Sequence, residues 1–90
     1  MDFQFTGARF SEMVDLVQDR VGPVPKAQLE GALLEKFPDE KERKLARATI
    51  IVLVKLYDTN RKIEDVRKVV VWRDKDGKPS EIQIELAQKR

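Results

Sequence analysis

Between Asp39 and Tyr57 the chain reads DEKERKLARATIIVLVKLY, and its polar and apolar positions separate along a helical period. At about 100° per residue, Leu45, Ala46, Thr49, Ile50, Val52, Leu53, Leu56 and Tyr57 fall on one broad half of a helical wheel. Lys41, Arg43, Lys44, Arg47 and Lys55 fall on the other, which predicts a long amphipathic helix over 39–57 with a basic outer face. Ile51 and Val54 break the pattern, being apolar residues among cations. Two explanations stand: another element of the chain, such as a hairpin, covers them, or they form a subunit contact. The start is marked by Pro38, which cannot extend a preceding helix, and by Asp39 and Glu42 at the spacing of a capping box. At about 1.5 Å per residue such a helix is roughly 27 Å long, enough to cross a small domain.

Shorter periodic stretches precede it. Phe10, Met13, Val14, Val17 and Val21 recur at helical spacing and predict a first helix over 8–21, stopped by Gly22 and Pro23. Val24 and Pro25 read as an extended connector, because a residue before proline avoids the α region. Residues 26–36 predict a second, shorter helix with Leu29, Ala32 and Leu33 inward, weakened by Gly31 unless that glycine permits close packing. Phe3 and Phe5 alternate with polar neighbours in residues 1–7, which suits either a short strand or a hydrophobic N-terminal tail.

After a polar turn at 58–62 the period changes from 3.6 to 2. Val69, Val70, Val71 and Trp72 mark one strand, and Ile82, Ile84 and Leu86 alternate with Glu81, Gln83 and Glu85 in a second. The segment between them, Asp74 to Pro79, carries Gly77, which suits a positive φ. Residues 66–86 therefore predict an antiparallel β-hairpin. The first strand is apolar on both faces, so it is either covered on both sides or presents Trp72 outward for stacking or an interface. The fold class expected is α+β: three helices followed by a C-terminal antiparallel hairpin, in one domain spanning residues 1–90.

Composition narrows the chemistry. Cys and His are both absent, which removes disulfides, thiolate ligands and nucleophiles, and the commonest neutral-pH base. Acid pairs such as Glu64-Asp65 and Asp74/Asp76 lie in polar turns with nothing to bring them into a dry pocket, so no enzyme, cofactor or metal site is expected. No apolar run approaches the roughly 20 residues needed to span a bilayer, and the N-terminus lacks a secretory pattern, so a cytoplasmic, soluble protein is expected. Charged residues make up 38% of the chain, a bias that resembles heat-adapted proteins. Net charge is only +2 but uneven. Residues 1–40 carry four basic and eight acidic side chains, and residues 41–90 carry fourteen basic and eight acidic, so the positive charge lies in the second half.

The order helix, helix, long helix, strand, turn, strand over residues 8–86 resembles the winged helix-turn-helix superfamily of DNA-binding domains. The resemblance implies that 26–36 and 39–57 form the helix-turn-helix unit and that residues 73–80 form the tip of the wing. It further implies a regulator or architectural factor binding double-stranded DNA as a homodimer. Its nucleic-acid contacts would be Lys41, Arg43, Lys44, Arg47 and Lys55 on the helix and Arg73, Lys75 and Lys78 on the wing. The alternative is a protein-interaction module, either a subunit of an assembly or a small inhibitor of a larger enzyme, with Ile51, Val54 and Trp72 as its interface.

Overall fold

The computed structural model of the chain describes residues 3–76 and 79–87. The fold is α+β. Strand β1 (Phe3–Thr6) leads directly into helix α1 (Gly7–Arg20), and a 3-10 turn at Lys26–Gln28 opens helix α2 (Leu29–Lys36). Helix α3 (Glu40–Asp58) follows, then a second 3-10 turn at Ile63–Asp65 and the hairpin of β2 (Val66–Arg73) and β3 (Pro79–Leu86). The three strands form one antiparallel sheet in the order β1-β2-β3.

The sheet has one strand more than the hairpin alone provides. Of the two forms open to the N-terminal segment, residues 3–6 take the strand, pairing Phe3 with Val71 and Phe5 with Val69. This makes β2 the central strand, and its buried face holds Val66, Val69 and Val71. Register sets the two faces of the sheet. Phe5, Val69 and Ile84 lie in one row facing the helices, and Gln4, Val70 and Gln83 lie in the next row facing away. Lys68 stands opposite Glu85 on the outer face, a cross-strand pair of opposite charge.

Helix α3 is buried on two sides. Ala48, Val52 and Leu56 pack with Phe10 and Val14 of α1 against Phe5, Val69 and Val71 of the sheet. Ala46, with Ile50 at its margin, packs into a second cluster with Met13 and Val17 of α1, Leu33 of α2 and Phe37. Leu45 borders both clusters. Ala48 is fully buried, and its small side chain lets the sheet approach the helix. Tyr57, assigned to the apolar half of the wheel, is instead 88% exposed, because the last turn of α3 passes beyond the elements that cover Ile50.

The ends of the elements are tied down by specific hydrogen bonds. Thr6 closes β1 and caps α1, its Oγ1 accepting from the Arg9 N–H at 3.1 Å. Gly22 takes φ +65° after α1, in the left-handed region open to glycine. Asn60 does the same work after α3 at φ 57°, and the Arg61 N–H returns to the Leu56 carbonyl as in a Schellman motif. Asp39 caps α3 through the Lys41 N–H at 3.0 Å, but the capping box does not close: Glu42 turns away to Arg20 at 2.6 Å. The two glycines at issue have opposite surroundings. A Cβ on Gly7 would lie well inside contact with the Val66 carbonyl oxygen, so the β1–α1 junction abuts the start of β2 through bare backbone. Gly31 has open space around it and allows no close helix contact.

Two stability predictions follow from these contacts. Gly7→Ala should destabilise the fold by about 1–3 kcal/mol, the range for overpacking, whereas Gly31→Ala should stabilise it by up to about 1 kcal/mol through helix propensity. Urea unfolding of both variants checks the opposite signs. Thr49 is fully buried with no hydrogen-bond partner for its Oγ1. Thr49→Val should therefore raise stability by about 1 kcal/mol, which for a domain of this size is about 4–8 °C in Tm. A fall in Tm would show that the hydroxyl is satisfied in solution.

Candidate functional site

The cations of α3 do not form one free face. Arg43 donates to the Phe37 and Pro38 carbonyls at 3.0 and 3.3 Å, stitching the end of α2 to the start of α3. Arg47 reaches across to Glu30 of α2 in a two-pronged contact of 3.2 and 2.7 Å. That hydrogen-bonded carboxylate, with its charge, holds the Arg47 guanidinium above its ordinary pKa, although partial burial pulls the other way. Lys44 lies 3.7 Å from Glu40, one turn back on the same helix. Arg20 of α1 completes the junction, stacked 5.1 Å from the centre of the Phe37 ring while it binds Glu42. Sequence periodicity places Arg43 and Arg47 on the outer arc of the helix, but their partners, the Phe37 and Pro38 carbonyls and Glu30 of α2, are not visible to it.

One group of the expected nucleic-acid residues does converge. Lys41 and Lys44 of α3 meet Arg73 of β2 around a depression of about 300 Å³, floored by Phe3 and Leu45. The Arg73 guanidinium lies 5.9 Å from the centre of the Phe3 ring. This meeting depends on β1, which brings Phe3 beside Val71, two residues before Arg73. Lys75 is exposed in the turn after β2, where the Asp76 N–H donates to Asp74 at 2.9 Å. Lys78 and Gly77 lie outside the described residues. Lys55 sits on the far half of α3, away from Lys41.

That far half borders the larger feature of the surface, an open groove of about 810 Å³. Val17 of α1, Val21 just beyond its end and Leu29 of α2 line it together with Ile50, Ile51 and Val54 of α3. Val54 is 56% exposed, while Ile51 is half-buried beside Pro79 and Ile82 at the start of β3. The hairpin thus shelters Ile51 in part and leaves Val54 uncovered. Lys26 and Lys55 also line the groove, and among the described residues no carboxylate does. The connector at 21–25 forms one wall of the groove: the chain turns at Gly22 with φ +65° and is extended at Pro25 before the 3-10 turn. Val21, Val24 and Leu29 are the lining residues that sequence reasoning does not single out as a surface. Their signal is weak: three apolar residues spread over a helix end, a connector and a helix start share no period.

Trp72 is half-buried on the outer face of the sheet, opposite Glu81 and next along β2 from Val70. It lies on the face turned away from the helices and from the groove, so Ile51, Val54 and Trp72 are not one surface.

Among the described residues no group of three or more His, Cys, Asp or Glu is placed to hold a metal ion. No described helix is long and apolar enough to cross a membrane. No family model, curated protein or solved structure matches the chain.

The two sorts of cation are separable by mutation. Arg43→Ala should cost about 1–2 kcal/mol, since it removes a charged donor from two carbonyls. Arg47→Ala should cost about 0.5–1 kcal/mol, because Glu30 is largely exposed and screened. Lys41→Ala should stay within about 0.5 kcal/mol of the parent. Chemical denaturation of the three variants measures the order.

Proposed function

We propose that this chain is a protein-interaction module that docks a partner in the groove between the end of α1, the connector and α3. The observation that carries this reading is Val54, more than half exposed and lining an apolar depression of about 810 Å³. A concave apolar surface with a large side chain exposed in it is the form that binding sites on natural domains commonly take. The engagement of Arg43 and Arg47 within the fold also supports it, since these two cations hold α2 and α3 together and are less available to an anionic partner.

A second reading keeps the DNA-binding proposal, with a winged-helix-like arrangement of α2, α3 and the hairpin and a homodimer as the working unit. The convergence of Lys41, Lys44 and Arg73 favours it. A phosphate backbone laid over that depression would meet three cations drawn from two elements.

The test uses a photo-cross-linking amino acid at position 54, with position 61 as control, followed by mass spectrometry of the adducts. Docking in the groove predicts a discrete adduct with one other protein from position 54 and none from position 61. No adduct from position 54, with duplex binding that falls steeply with salt and is lost in Lys41→Glu/Lys44→Glu, would replace this reading with the DNA-binding one.

A further inference from the structure

The groove has a sign as well as an apolar floor. Lys26 borders it at the start of the 3-10 turn and Lys55 on α3. Among the described residues Arg20, Lys44 and Arg47 are each paired with a carboxylate, but Lys26 and Lys55 form no ion pair. The two cations bordering the apolar surface are therefore available to an incoming charge. The groove also restricts the secondary structure of its occupant. Helices α1, α2 and α3 supply most of the lining, and their main-chain groups are committed to their own hydrogen bonds. In the connector, Pro23 and Pro25 have no N–H to donate. An extended peptide laid here would find little of the ladder that stabilises strand addition, whereas a helix satisfies its main chain internally.

We infer that the occupant is an amphipathic helix of a different protein, with its apolar stripe flanked by Asp or Glu that meet Lys26 and Lys55. The inference rests on the docking reading and adds the chemistry of the partner. A second copy of the chain fits less well. A two-fold contact uses the same patch on both subunits, and among the described residues that patch offers two lysines and no carboxylate to meet them.

The test uses the full chain labelled with 15N and two synthetic peptides of equal length. Both carry the same leucine stripe at i, i+3, i+4 and i+7, flanked by Glu in one and by Lys in the other. The Glu peptide should shift the amides of residues 21–29 and 50–55 and bind about tenfold more tightly than the Lys peptide. The double variant Lys26→Glu/Lys55→Glu, whose changes lie at the surface, should reverse that order, with its amide spectrum reporting that it is folded. Equal affinities, or binding by neither peptide, would overturn the inference. Concentration-dependent self-association lost in Val54→Glu would overturn it too, by giving the groove to a second copy. If both peptides fail while the cross-linker at position 54 still captures a protein, docking stands and the acidic helix does not. If both fail and position 54 is also silent, docking falls with it.

Discussion

One helix serves two cores, and the rest of the molecule is arranged by that constraint. With 3.6 residues per turn, a helix that buries Ala48, Val52 and Leu56 against the sheet and Ala46 against α1 and α2 has only a narrow arc left for anything else. On the N-terminal half of that arc stand Arg43 and Arg47, and both are used to fasten α2. On the C-terminal half only Leu29, at the start of α2, borders the groove, and Val54 is left open beside the connector. The division of α3 into a fastened half and an open half is thus a matter of how far an eight-residue helix extends along a nineteen-residue one.

The fastening is polar at its surface and apolar beneath. Phe37 is completely buried, yet it follows a helix end and precedes a proline, where water would otherwise have access. Arg20 covers its ring, Arg43 takes up its carbonyl, and Glu42 holds Arg20 in place. Surface ion pairs of this sort contribute little each. Here they also exclude water from a ring whose burial is worth roughly 1.5–3 kcal/mol, so their effect on packing exceeds their electrostatic worth.

Much of this architecture is legible in the residues, for identifiable reasons. The hairpin stands out because Ile82, Ile84 and Leu86 keep strict alternation, and α3 because its apolar half is continuous over five turns. Strand β1 is half-legible: Phe3 and Phe5 alternate, but its pairing partner β2 lies more than 60 residues downstream, and local spacing carries no trace of it. The capping box is misleading because Glu42 has a competing partner, Arg20, twenty-two positions earlier, and local spacing carries no trace of it. The candidate groove is the least legible part. Ile51 and Val54 interrupt a basic face and so attract notice, but their companions Val21, Val24 and Leu29 become neighbours only once the connector is drawn across α3.

The pairing of β1 bears on how the chain comes into being. Thr6 is aligned with Lys68, about 60 residues downstream, so the first strand has no partner while α1, α2 and α3 are being synthesised. At about 5–20 residues per second that interval lasts several seconds. During it Phe3 and Phe5 are held next to α1 only by the short link through Thr6 and Gly7. The three helices meet their own cluster through nearer contacts, which close at lower entropic cost. The β1–β2 pairing is consequently the longest-range closure in the sheet, whereas β2 and β3 pair across a short turn. A nascent chain that stalls before β2 emerges presents two phenylalanines on an unpaired edge, the kind of species a ribosome-associated chaperone would meet.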